Sequence, residues 1–216
     1  MSASAPTNNR ILSIYNSRKN LLDILERLDY NVSEYSGFSI NEIDAMLKQN
    51  QLDMLLSNPD TGDKAYIKYL CGGGKASTNA TPKVIAEIIE DLYINDTVLE
   101  KKDTLILIVD GEPNGPLLDR IKYYYDHSGY FIVVHNIERL MFNILDHKLV
   151  PPTTVISEQE VQDLLKKYNI SSTKQLPEVS RFDPVSLAIC LRPGQVCKIE
   201  RSSPTAMNSI FYRVCV

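Results

Sequence analysis

Two short runs, Thr104–Val109 (TLILIV) and Tyr130–Val134 (YFIVV), most restrict what this chain can fold into. Both are continuously apolar and rich in β-branched residues. A strand with one wet face alternates apolar and polar positions, whereas a strand that does not alternate has to be covered on both faces. Residues 116–127, between the runs, have the length and pattern of a helix. Strands separated by helices define an α/β layer arrangement, here for residues 1–147.

The rest of that stretch fits the same scheme. Residues 1–9 are small and polar and read as a frayed tail. From Arg10 to about Asp29, Ile11, Ile14, Tyr15, Leu21, Leu22, Leu25 and Leu28 recur every three or four residues, the signature of an amphipathic helix. Ser39-Ile40-Asn41-Glu42 is a capping box that opens a second helix. Gln51–Leu56 and Ala65–Leu70, joined by Asn58-Pro59-Asp60-Thr61-Gly62, read as a hairpin. After a glycine-rich loop over 72–80, Thr81-Pro82 starts a helix carrying Val84, Ile85, Ile88, Ile89 and Leu92.

Pro151-Pro152 interrupts this texture, since two prolines continue neither a helix nor a central strand. The domain boundary is therefore set at 147/148, and residues 148–216 read as a small α+β domain with a thin core that a partner would support. Ser157-Glu158-Gln159-Glu160 caps a helix running to about Tyr168. Asp183-Pro184 supplies a second helix start, and Pro193-Gly194 suits a type II turn before the strand Val196–Arg201. Lys198, Arg201 and Arg213 concentrate positive charge on the two terminal strands, although the chain carries a net charge of −4. Charge reversal at Lys198 and Arg201 together is the test suggested by that cluster.

The last forty residues resemble the C-terminal domain of the fifth-largest subunit of eukaryotic RNA polymerases and its archaeal counterpart. The matching elements are Leu176-Pro177, Asp183-Pro184-Val185, Leu191, Gly194-Gln195-Val196, Lys198-Ile199, Arg201, Ser203, Thr205-Ala206 and Tyr212-Arg213, in order and with little slack. His147-Lys148-Leu149-Val150-Pro151 resembles the family's interdomain junction, and Leu164-Leu165 with Lys167-Tyr168 the helix after it. Arg18-Lys19 and Asp29-Tyr30 resemble its opening segment more loosely.

The resemblance implies a non-catalytic subunit with an N-terminal α/β jaw, nuclease-like in fold but without activity, and a C-terminal assembly domain. Its implied partners are the largest polymerase subunit, the sixth subunit and nearby downstream duplex DNA. Carried over by position, the subunit interface comprises Asp183, Pro184, Val185, Arg192, Gly194, Lys198, Arg201, Ser203, Thr205, Tyr212 and Arg213. Asn114-Gly115-Pro116 falls where the family has a Thr-Pro-Ser-Ala turn close to the duplex. The family usually has glycine at the position of Cys190, where a left-handed backbone would be costly for cysteine. Ser203-Pro204-Thr205-Ala206-Met207 also departs from its Ser-Glu-Thr-Ala-Gly element, drift that suggests a lineage such as a large DNA virus with its own polymerase.

Enzymatic readings fare worse on their own spacing. Cys71-Gly72-Gly73-Gly74-Lys75-Ala76-Ser77 imitates a phosphate loop but has Tyr69 and Ala76 where the motif needs glycine and a hydroxyl. Asp60, Glu100 and Lys102 could form the two-acid-and-lysine site of a magnesium-dependent nuclease, the alternative function. Asp60, however, sits in a turn and Glu100 precedes its strand. His127, His135 and His147 are far apart, and Cys71, Cys190, Cys197 and Cys215 match no zinc module, so the sequence calls for no metal or other cofactor. Free buried thiols, and no apolar run of membrane-spanning length, imply a soluble intracellular protein. It would work in the nucleus if cellular, or in virion and host cytoplasm if viral.

Overall fold

The fully buried run Thr104–Val109 lies inside a four-stranded sheet, as its lack of alternation requires. The computed structural model describes residues 5–71, 80–203, 205 and 207–216. The chain forms two compact units, the first running to Asn143 and the second Ile144–Val216.

The first unit opens with α1 (Ala5–Glu26) and α2 (Ile40–Lys48), followed by the antiparallel pair β1 (Met54–Ser57) and β2 (Lys64–Tyr69). Then come α3 (Pro82–Ile89), β3 (Thr104–Val109), α4 (Gly115–Ser128) and β4 (Phe131–Asn136). The sheet order is β1-β2-β3-β4, with β2, β3 and β4 mutually parallel. Every residue of β3 and β4 is buried.

The capping box at Ser39 forms in full: its side chain accepts from the Glu42 amide, and the Glu42 carboxylate accepts from the Ser39 amide at 2.7 Å. Asp103, with no exposed surface, stitches the sheet at its entry. Its carboxylate accepts the Lys64 amide at 2.8 Å and the Glu100 amide at 2.7 Å, tying the starts of β2 and β3 together.

Two features depart from the sequence expectation. Residues 5–9 belong to α1 and are not a frayed tail; just beyond them, Arg10 is tied to Asp110, 100 positions away, at 2.5 Å. The α3 helix passes into a π-helical turn, Glu90–Asn95, where the wider winding accompanies stacking of Tyr93 on Tyr130 at 4.2 Å. The glycine-rich loop falls mostly on residues 72–79, outside the described residues, as does most of the imitation phosphate loop. Cys71 itself is buried, and its thiol donates to the Ile108 carbonyl.

The second unit contains β5 (Thr153–Val155), α5 (Glu158–Tyr168), β6 (Glu178–Val179), α6 (Pro184–Ala188), β7 (Val196–Arg201) and β8 (Ser209–Cys215). Its sheet runs β5-β7-β8-β6, antiparallel except for the β6–β8 pair. Ile144–Asp146 falls within this unit, and Leu145 packs against its cluster of Ile189, Leu191, Cys197 and Cys215.

Candidate functional site

The alternation of strand side chains divides the small sheet into two faces with different fates. On one face, Val196 and Val214 pack with Leu164 and Leu176, and α5 closes over them with Val161 and Ile170 nearby. On the other, Cys197 and Cys215 pack with Ile189 and Leu191. Each face is covered near the Val196 end of β7. Toward the far end the strands outrun their cover, leaving Ile210 and Phe211 each 47% exposed.

Register places the charged residues. Lys198 lies opposite Tyr212 on the α5 face, and its ammonium pairs with Glu200 at 2.7 Å, a contact that raises its pKa. Arg201, three positions away, lies on the opposite face with Phe211 and Arg213. The Arg201 guanidinium lies 5.7 Å from the Phe211 ring centroid, and Arg213 donates to the Glu178 carbonyl at 3.0 Å. Lys198, Arg201 and Arg213 therefore do not form one basic cluster. Arg201 and Arg213 flank an exposed phenylalanine, while Lys198 faces the other way.

The remaining interface candidates are mainly shape-forming. The Asp183 carboxylate caps α6 by accepting the Val185 amide at 3.1 Å, and Pro184 occupies the first turn, where a missing donor costs nothing. Gly194, at φ 87, supplies the left-handed position of the turn closed by the Gln195 amide on the Arg192 carbonyl. The Arg192 amide donates to the Gln195 side chain, making that turn tighter. Beyond β7, the Ser203 and Thr205 hydroxyls lie 3.2 Å apart. Tyr212 meets Tyr168 edge to face at 6.2 Å, so α5 covers its ring in part.

Cys190 adopts φ 50 after α6. The Leu191 amide reaches back to the Ser186 carbonyl and the Cys190 amide to that of Leu187, the paired bonds of a Schellman end. Left-handed backbone costs an L-residue about 1–2 kcal/mol, against less than about 1 kcal/mol for glycine's extra unfolded-state entropy. Cys190→Gly should therefore be more stable than Cys190→Ala by about 0.5–1 kcal/mol, a comparison in which both variants lose the thiol, seen as a melting temperature several degrees higher for the glycine chain. A lower melting temperature would refute the strain.

In the first unit, Asn114 caps α4 by accepting the Leu117 amide at 3.2 Å, with Gly115 and Pro116 in the first turn. Pro116 shares a shallow groove with Pro82, Lys83, Arg120 and Tyr123. Arg120 stacks over Tyr123 and Tyr124, and Tyr123 stacks on His127 at 4.0 Å. The meeting of Pro82 with Pro116 could not be read from the sequence, because it depends on α3 packing beside α4. Phe211 escapes sequence reasoning for another reason: an apolar strand residue reads as core unless the extent of its cover is known.

The nuclease trio does not assemble a site. The Asp60 amide is held by the Asn58 side chain in the β1–β2 turn, and Lys102 lies 3.9 Å from Asp63. Among the described residues, no group of three or more His, Cys, Asp or Glu could hold a metal ion. The four thiols are free, and burial pushes those of Cys190 and Cys215 up to about 12 and about 11. None of the described helices is long and apolar enough to cross a membrane.

A small sheet with shape-forming turns and an exposed aromatic–arginine face has the features of a surface that binds a partner. Residues 142–215 match the family model for the RNA polymerase Rpb5 C-terminal domain. The chain is 47% identical over 75 residues to DNA-directed RNA polymerase subunit Rpo5 of Thermococcus kodakarensis, covering 35% of this chain and 90% of that one. Against Rpo5 of Archaeoglobus fulgidus it is 42% identical over 77 residues, 36% of this chain and 100% of that one. With Rpo5 of Staphylothermus marinus the figures are 47% over 74 residues, 34% and 80%. The chain belongs to the Rpb5/Rpo5 family of DNA-directed RNA polymerase subunits. It is a non-catalytic subunit, and its alternative reading as a nuclease is unsupported.

Proposed function

We propose that residues 148–216, with the short turn before them, anchor the chain to the largest polymerase subunit near the sixth, while residues 1–147 form a jaw beside downstream duplex DNA. The observation that carries this reading is coincidence: the family match, 142–215, coincides with the compact unit Ile144–Val216. The same length accounts for an entire archaeal Rpo5 chain. Within the anchor, Arg201, Phe211 and Arg213 offer the residue types that dominate interface energies, clustered on a face the unit itself leaves uncovered. Asp183, Pro184, Val185, Arg192, Gly194, Ser203, Thr205 and Tyr212 shape or border the anchor. On the jaw, Pro116 with Asn114 and Gly115 would lie toward the duplex, and Lys83 and Arg120 beside it provide cations for phosphates.

The test is affinity purification from the native context, using an amino-terminal tag on the full chain and on a form ending at residue 143. The two largest polymerase subunits should accompany the full chain and vanish with the truncation. Arg201→Glu with Arg213→Glu should reduce recovery on the order of tenfold or more, whereas Lys198→Glu, on the other face, should reduce it less. Full chain recovered with unrelated proteins would overturn the assignment. Equal loss from both sets of variants would overturn the choice of face.

A further inference from the structure

We propose that the cavity between α1, α2 and residues 30–38 binds a ligand carrying one carboxylate on an apolar, ring-bearing body. The cavity has a volume of about 620 Å³, within the few-hundred to thousand Å³ range of small-ligand sites. One side of α1 lines it, and Tyr15, Tyr30, Tyr35 and Phe38 give it aromatic walls. Aromatic and aliphatic walls of this kind take flat apolar groups.

At its base lies Arg18, only 2% exposed. Its Nη1 donates to the Leu52 carbonyl at 3.2 Å. Its Nε and Nη2, the two nitrogens along one edge of the guanidinium, find no hydrogen-bond partner among the described residues. The Tyr35 and Phe38 ring centroids lie 5.8 and 5.5 Å from its central carbon. Such contacts engage the cation through π faces and do not satisfy in-plane N–H donors. A buried donor without an acceptor is costly, and more so on a charged group.

The same chain displays the partner that this edge takes. Arg139 presents its Nε and Nη2 to Glu112 and holds the two carboxylate oxygens at 3.0 and 2.7 Å. A planar fork of this kind matches a carboxylate bidentately. Arg18, which lines the aromatic cavity, carries the identical fork with neither nitrogen bonded among the described residues. The rim disfavours more highly charged ligands: Lys19 is outnumbered there by Asp23 and Glu26, which would repel a polyphosphate or nucleic-acid backbone more strongly than a single carboxylate. Because Nε and Nη2 have almost no accessible surface, binding would have to displace Tyr35 or Phe38, whose rings lie against the guanidinium. Both are carried by the irregular segment before α2, not by a helix.

The carboxylate could come from a free small acid or from a peptide, and the probes separate the two. Isotope-labelled full chain is titrated with 3-phenylpropanoate, with 3-phenylpropanamide, and with an acetylated, amidated Leu-Phe-Glu-Leu peptide, following the Gly37 and Ile43 amide signals. The acid should give saturable shifts with a dissociation constant on the order of millimolar. The amide should bind at least about tenfold more weakly. A peptide tighter than the free acid assigns the site to a protein partner; a weaker peptide assigns it to a small metabolite-sized acid. Arg18→Met should abolish the preference for acid over amide. Arg18→Lys, which keeps the charge but lacks the fork, should reduce it strongly and serves if the methionine variant does not fold. Acid and amide binding alike, or no saturation by the acid, would overturn the proposal.

Discussion

An Asp103→Ala chain should lose on the order of 4 kcal/mol of stability, because one fully buried carboxylate holds two backbone amides from different segments. Hydrogen bonds to a charged acceptor contribute about 1.5–3 kcal/mol each, and alanine removes both from these part-buried amides. Asp103→Asn keeps one acceptor oxygen and should cost about half as much. Urea unfolding followed by circular dichroism measures both, and a loss below about 1 kcal/mol for alanine would contradict the role. Asp103 adjoins Glu100 and Lys102, two members of the imagined nuclease trio. The acidic end of this sheet thus has a structural carboxylate where a catalytic one was conceivable.

The first unit should also weaken in mild acid through His135. Burial in β4, with Arg139 adding to it, pushes this imidazole down to about 4, whereas in an unfolded chain it titrates near 6.5. Between those values the unfolded chain binds the extra proton. Stability therefore rises with pH across the window and is lost as pH falls through it, by roughly 3 kcal/mol at pH 4. Other carboxylates titrate nearby, so the informative quantity is a difference. Against wild type, His135→Gln should carry its full packing cost at pH 7 and recover roughly 3 kcal/mol of it by pH 4. Parallel stability–pH curves for the two chains would rule out His135 as the source.

How much could be read in advance depended on the range of the interactions involved. The buried strands Thr104–Val109 and Phe131–Asn136 were legible because covering both faces removes alternation. The Ser39 and Ser157 caps and the Pro193-Gly194 turn were legible because their chemistry lies within four residues. The brief strands Thr153–Val155 and Glu178–Val179 were not, since only distant partners make them strands. Of the site, the opposition of Lys198 and Arg201 was implicit in an odd spacing on a strand, although charge alone grouped them. Arg18 shows the reverse case. An arginine beside a lysine on a helix looks solvated, and its burial depends on Leu52, Tyr35 and Phe38 arriving from elsewhere.

The position of β8 between β7 and β6 has a consequence for biosynthesis. All four strands of the first sheet are complete once residue 136 has been made, so that unit can fold while translation continues. The second unit has no such opportunity: an interior strand of its sheet is supplied by residues 209–215, and both neighbouring strands wait for it. A nascent chain therefore carries a first unit whose sheet is complete and a second whose sheet is not. Any contact that depends on the folded second unit is thereby postponed until β8 has been synthesised.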